Sequence, residues 1–318
     1  MKPFRTTSYS FGIFIASLFL FTNCLIFGGI EDRMTETYAV GPGGTLTIET
    51  DIGSIAIKGQ DTGSVGIEIL REVRTNSEKK AAEFLEDFDI EFNHSGDDVT
   101  IEAKYKKRAL KGFWNNIGKH FRVKFIISVP TKYNIDLHTK GGSISVEDVE
   151  GEILSETSGG SLKFNDIIGN ISGKTSGGSI SIGDVVGESH IQTSGGSIHI
   201  RHAEGPVDAH TSGGSITVDE VMGAIEAHTS GGSVKAYISK QPDSNCRLTT
   251  SGGSITVQFS KDMNFDLDAN SSGGRVHTDF KVSISGTVDK RSLRGKVNGG
   301  GPELYLRTSG GSIYLKKL

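Results

Sequence analysis

The chain has 318 residues with 43 glycines and only 6 prolines, so its glycine excess belongs to ordered turns and excludes a Gly/Pro-rich disordered tract. Its 34 Lys and Arg against 38 Asp and Glu give a net charge of −4, which excludes a whole surface built as a nucleic-acid footprint. The two cysteines, Cys24 and Cys246, supply no disulfide framework.

The N-terminus reads as an export signal: Lys2 and Arg5 precede an unbroken run of apolar and small residues at 11–21. The run ends in Leu20-Phe21-Thr22-Asn23-Cys24, which resembles a relaxed bacterial lipobox and makes Cys24 the expected lipidation site. Residues 11–30 are also long enough for a single uncleaved anchor helix, and cleavage without lipidation would give simple secretion. All three place the bulk of the chain outside the cytoplasm.

After this signal (1–24), residues 25–44 read as a short tether ending in the turn Gly41-Pro42-Gly43-Gly44. A first coil follows, Thr50-Asp51-Ile52-Gly53-Ser54-Ile55-Ala56-Ile57. Residues 64–130 interrupt the repeat. Val65, Ile67 and Ile69 alternate, as do Val99, Ile101 and Ala103, and Val123, Phe125, Ile127 and Val129, predicting half-buried strands. A helix of about 12 residues is expected from Ser77, with Ala81, Phe84, Leu85 and Phe88 on one face. Residues 45–130 are therefore the first coil plus a small α+β cap over the open end of a repeat array.

The array occupies 131–318. Ser-Gly-Gly-Ser followed by Ile, Val or Leu places its first glycine at Gly159, Gly177, Gly195, Gly213 and Gly231, always 18 residues apart. The step stretches to 21 at Gly252 and Gly273, and a last copy stands at Gly310. In columns of 18, Ile144, Leu162, Ile180, Ile198, Ile216 and Val234 share one inward position. Val149, Ile167, Val185, Ala203 and Val221 share another, and Ile153, Ile171, Ser189, Val207 and Ile225 a third on the return strand. Each coil thus has two short strands and two glycine turns around an apolar interior. An antiparallel meander would set unlike columns opposite each other. A parallel β-solenoid stacks like on like about 4.8 Å apart, and only that explains the column Thr139, Thr157, Thr175, Thr193, Thr211, Thr229, Thr250 and Thr308. The chain ends at Tyr314-Leu315-Lys316-Lys317-Leu318, which reads as an uncapped strand and an edge for self-association.

The Thr-Ser-Gly-Gly-Ser-Ile repeats, Ile126-Ile127-Ser128-Val129-Pro130 ahead of the array, and the ending 299–308 resemble the bacterial DUF4097 β-strand-repeat family. That family is adhesin-like and related to the toast-rack domains of envelope-stress proteins. The resemblance covers about residues 40–318 and implies an all-β, right-handed, extracytoplasmic β-solenoid with no catalytic residues to carry over.

Candidate chemistry is sparse. The column Asp148, Asp166, Asp184, His202 and Glu220 could gather a cation, but one oxygen per coil falls short of a calcium site, and Asp commonly starts turns. Seven of the nine histidines lie from His138 onward, and His138, His210 and His228 share a column with Glu156, Lys174 and Gln192, the mixture of a solvent-facing position. No zinc spacing occurs. Gly169-Asn170-Ile171-Ser172-Gly173-Lys174-Thr175 falls one residue short of a phosphate-binding loop and no helix follows it. Asp184, Arg201, His202, Asp219 and Glu220 form the nearest approach to an acid–base cluster, in an array with no sign of a cleft.

The surface feature that stands out is 104–124, with eight Lys or Arg, no acidic residue, and Phe113, Trp114 and Phe121 interleaved. Lys106, Lys107, Arg108, Lys111 and Trp114 are its candidate membrane or partner contacts, suited to anionic headgroups. The alternative is a solvated hairpin with its aromatics on the cap core. The expectation is a lipid-anchored interaction or scaffolding module, not an enzyme, with no cofactor and no metal. Its expected partners are the membrane through the anchor, and envelope glycans, glycolipids or an envelope protein. The competing readings are an envelope-stress accessory protein binding a membrane partner, and a polysaccharide-active β-helix enzyme.

Overall fold

Alternation within each half-coil is satisfied by two sheets packed face to face, the buried positions of both turned inward. A computed structural model describes residues 24–26, 29–106, 120–284 and 289–318. Each repeat yields two strands, one ending in the recurrent threonine and one starting after Gly-Gly-Ser, such as Ile153–Thr157 and Leu162–Ile168. The first kind lies in one 14-stranded sheet (the Thr sheet), the second kind in another of 14 strands (the Ile sheet). Equivalent residues pair in parallel, Ile153 with Ile171, Thr157 with Thr175, Ile180 with Ile198. The parallel solenoid is therefore the fold, with 11 coils among the described residues. The core is continuous between the sheets, and its column positions compensate one another in size. Phe164 fills the space left by Gly173, where a β-carbon would lie 3.1 Å from the ring.

Hydrogen bonds between coils account for the repeated motif. Thr175 Oγ1 donates to the Gly160 carbonyl of the preceding coil at 2.7 Å and accepts from its own Gly178 N–H at 3.3 Å. Thr193, Thr211, Thr229, Thr250 and Thr308 do the same. The closing serine makes a second ladder: Ser161 Oγ accepts from Ser179 N–H at 3.3 Å, and Ser179 Oγ from Ser197 N–H at 3.2 Å. The second glycine is dictated by space. A methyl on Gly178 would overlap the carbonyl of Gly160 one coil away, so no larger residue can stack there.

The two ends depart from the sequence expectation. The tether expected at 25–44 is largely a strand: Gly29–Ala39 pairs antiparallel with Ser64–Val73, and Cys24–Ile26 pairs back onto it. An open sheet edge leaves backbone groups without partners, and this strand supplies them to Ser64–Val73. Its inward polar residue, Asp32, is neutralised by Arg71 directly opposite, whose Nε donates to Asp32 Oδ2 at 2.8 Å. Both side chains are buried.

The coil 45–60 is first in sequence but second in the stack. Asp98–Tyr105 and Phe121–Pro130 form a further coil outside it, parallel to Thr45–Thr50 and Ser54–Gln60. Phe88–Ser95 closes the Thr sheet, and the helix Glu78–Asp87, capped by Ser77, packs against the aromatic cluster of Phe84, Phe88, Tyr105 and Phe121.

The C-terminus mirrors this arrangement. Glu303–Thr308 and Ile313–Lys317 do not end the stack but lie between the coil 246–259 and the coil 265–278. The edge expected at Tyr314–Leu318 is covered over Tyr314 and Leu315, which pair on both sides, while Lys316 and Lys317 pair only with Gln258 and Phe259. The second 21-residue step is likewise no coil-to-coil step, since the neighbour of Gly273 is Gly310. The first one is, and its extra residues form the corner between Val234–Ile238 and Cys246–Thr250. Antiparallel Ser292–Val297 and Val282–Ser283 cover the Thr sheet at this end.

Candidate functional site

The outward residues of the Thr sheet alternate with the core columns, so successive coils present them as two exposed rows. One row runs His138, Glu156, Lys174, Gln192, His210 and His228, paired in register through five steps. The other runs Asp136, Leu154, Ser172, His190, Asp208 and Glu226. Over the strands nearest the N-terminal end of the stack these rows border two shallow grooves lying side by side.

The larger groove, about 600 Å³, is lined by His138, Glu156 and Lys174 of the first row, by Glu49, Asp51, Lys104 and Lys140, and by threonines and serines of the turns. Apart from Lys174, its charges are held in pairs. Lys104 Nζ donates to Glu49 at 2.9 Å and Glu102 at 2.8 Å, and Lys140 Nζ to Asp51 at 2.6 Å. Hydrogen bonding and charge from Lys104 hold the Glu49 carboxyl below the usual carboxylate range, and Glu102 and Glu49 hold the Lys104 ammonium above the usual lysine range. His138 stands 2.8 Å from Asp136. Lys174, exposed on the groove wall, has no ion-pair partner among the described residues.

The smaller groove, about 360 Å³, has an aliphatic floor around Leu154, which is 36% exposed. Its rim is polar. Asn134 and Asn170 accept from the Glu152 and Glu188 amides at 3.0 and 2.9 Å, and Asn170 Nδ2 donates to the Glu152 carboxylate at 3.2 Å. An apolar floor between amide, carboxylate and hydroxyl groups suits a flat polyhydroxylated ligand, with the floor taking its apolar face and the rim fixing its orientation.

The other sequence candidates resolve into local structure. Asp148 and Asp166 adopt φ of 61° and 54°, the left-handed region that Asp tolerates, which accounts for Asp at those two positions of the column. Lys58 lies 3.6 Å from Asp148. Arg201 pairs with Asp184, His199 Nε2 lies 2.7 Å from Asp219, and His202 Nδ1 lies 3.0 Å from Glu220. Each carboxylate of that acid–base cluster therefore faces its own base on an outer sheet face. Among the described residues no three His, Cys, Asp or Glu are grouped to hold a metal ion. Thr175 of the phosphate-loop lookalike belongs to the hydroxyl ladder. Cys246 is buried, and burial pushes its thiol up.

Of the basic contact residues, only Lys106 is described. Its Nζ donates to the Glu86 carbonyl at 2.7 Å and its amide to the Asp87 carbonyl at 2.9 Å, placing a cation at the helix C-terminus where the dipole favours it. Lys107, Arg108, Lys111 and Trp114 lie outside the described residues, as does the Cys24 side chain. No helix among the described residues is long and apolar enough to cross a membrane. The grooves were not legible in the sequence, because they arise from residues of several coils; the single hint was the mixed column of His138, Glu156 and Lys174.

Among solved structures, a "putative adhesin" from Bacteroides fragilis is 13% identical, with a TM-score of 0.38, covering 90% of this chain and 97% of its own. A "putative lipid binding protein" from Parabacteroides distasonis is 15% identical, with a TM-score of 0.39, covering 89% and 96%. A "putative cell adhesion protein" from Clostridium sporogenes is 14% identical, with a TM-score of 0.23, covering 90% and 100%. No curated protein matches the chain. A family model described as Toastrack DUF4097 matches residues 44–316.

Proposed function

The chain belongs to the Toastrack DUF4097 family, and from that premise we propose that it is a lipid-anchored, extracytoplasmic, adhesin-like interaction module. Its working surface is the pair of grooves on the Thr sheet, and its ligands are glycans or similar repetitive polymers of the cell envelope. The observation that carries this reading is the continuity of the grooves over several coils. Equivalent backbone positions recur there about every 4.8 Å, so a chain of repeating units meets side chains at an even spacing, polar at most steps. The paired charges of the larger groove and the Leu154 floor of the smaller favour neutral, hydroxyl-rich units over a highly charged one. The signal at 1–24 and Cys24 support the anchored location.

Two measurements test it. A glycan array probed with the full chain in detergent is expected to give ligands that Leu154→Ser/Lys174→Ala loses while retaining its fold. An array on which the parent binds nothing overturns the ligand class. Fatty-acid labelling in cells should mark the parent and not Cys24→Ser; label on neither removes the lipid anchor.

A further inference from the structure

The last coil of the stack, 265–278, breaks the repeat at one residue. Every other coil in the serine ladder closes its turn with serine, because that hydroxyl accepts the N–H of the next coil: Ser233 from Ser254 at 3.2 Å, Ser254 from Ser312 at 3.2 Å, Ser312 from Arg275 at 3.2 Å. No coil follows Arg275 among the described residues, so the acceptor is not needed there and the position is released from the fold. It holds an exposed arginine.

Two more cations are fixed beside it by the backbone. The carbonyls of Lys290 and Arg291 accept from the Val276 and Ser271 amides at 2.9 and 2.8 Å, laying that turn over the terminal corner. The turn is stiffened by Asp289, whose Oδ1 accepts from the Arg291 amide at 3.1 Å. Arg275, Lys290 and Arg291 border a groove of about 560 Å³ with Gly273, Gly274, Asp289 and the Ser312 residue. None of the three cations has an ion-pair partner among the described residues, whereas Arg294 and Arg307 nearby are both paired to Asp268. The region is locally basic in an acidic protein: residues 241–318 hold 11 Lys and Arg against 7 Asp and Glu.

We propose that this terminal corner is a second binding site, distinct from the Thr-sheet grooves, that takes a linear polyanion: an acidic polysaccharide bearing carboxylate or sulfate groups. Three unpaired cations spread along an open groove match charges spaced along a chain better than the convergent donors a single small anion requires. Among the described residues the groove is lined by no apolar side chain, and a bilayer surface is ordinarily held by inserted apolar side chains as well as by charge. The site lies about 50 Å along the stack from the cap end, at about 4.8 Å per coil.

The full chain in detergent should bind dextran sulfate and polygalacturonate, with affinity falling as salt rises. Arg275→Gln/Lys290→Gln/Arg291→Gln should weaken binding roughly tenfold, since each exposed charge contact is worth a few-fold. Lys235→Gln/Lys240→Gln, which removes two exposed cations elsewhere, should leave it unchanged, and circular dichroism should show all three proteins equally folded. Failure of the parent to bind either polymer overturns the site. So does unchanged binding by the triple variant, equal weakening by both variants, or binding confined to phosphatidylglycerol vesicles. A negative glycan array leaves this site standing, because the grooves of the Thr sheet share no residue with it.

Discussion

At the scale of the residue, the repeat is a set of steric and hydrogen-bonding obligations, and the two glycines of each turn answer to different ones. The nearest atoms to a β-carbon on Gly177 are 3.6 Å away, ordinary contact, while on Gly178 it would overlap a carbonyl of the preceding coil. Gly177→Ala should therefore shift stability by less than about 1 kcal/mol, and Gly178→Ala should remove more than about 3 kcal/mol, the range reserved for changes that force the backbone apart. Urea denaturation of the pair checks this, and equal effects would show that the stacking distance does not govern the motif. The core carries an opposite case. Ser189 occupies the column of Ile153, Ile171 and Val207, and its buried hydroxyl has no hydrogen-bond partner among the described residues. Ser189→Ala removes a buried polar group that no described residue satisfies, so it should raise stability by about 1 kcal/mol. A loss of that size in a urea titration would mean that the hydroxyl is in use.

At the scale of the element, the strand Gly29–Ala39 depends on an ion pair that the sheet has buried. Asp32 and Arg71 are 5% and 9% exposed, and they occupy an inward position that apolar residues fill elsewhere on Ser64–Val73. Arg71→Met should cost about 3–5 kcal/mol, because the Asp32 carboxylate stays buried without its counter-charge, while Asp32→Leu/Arg71→Met should recover most of that loss. Thermal unfolding of the single and double variants measures the difference. If the double variant is no better than the single one, packing and not charge sets the cost. The helix Glu78–Asp87 shows the same economy of contacts, with Ser77 accepting from the Lys80 amide at its start and Lys106 reaching the Glu86 carbonyl at its end.

At the scale of the whole molecule, both ends of the solenoid are interlocked. The first coil of the sequence and the last each sit one place inside the stack, so the outermost coils are held through segments from the chain interior. Repeat arrays are stabilised by nearest-neighbour interfaces, and the loss of an interior coil breaks two of them. Truncation after residue 302 should therefore lower the melting temperature well beyond the effect of trimming a terminal strand, and it should make 265–297 sensitive to protease. Deleting one array coil such as 171–188 should be tolerated far better, since Ile153 can then meet Ser189, the equivalent residue of the next coil. Limited proteolysis with thermal melts compares the two. The interlock also leaves Tyr314 and Leu315 paired on both sides, and places the Arg275 corner at the exposed end of the stack.

The sequence alone determined the coil: the 18-residue beat, the inward columns from Ile144 to Val234, the threonine ladder and the family. Each coil meets a near copy of itself, so a local pattern also states its long-range partner, and register follows from periodicity. The helix start at Ser77 and the alternating strands of the cap were legible for the same local reason. Only the tertiary structure decided the order of coils at the two ends, the pairing of Gly29–Ala39, the grooves beside Leu154 and Lys174, and the gathering of Arg275 with Lys290 and Arg291. Those depend on segments that differ in sequence and lie far apart in the chain, such as 45–60 against 98–130, where no repeated spacing signals the contact and backbone pairing at an open edge selects the partner.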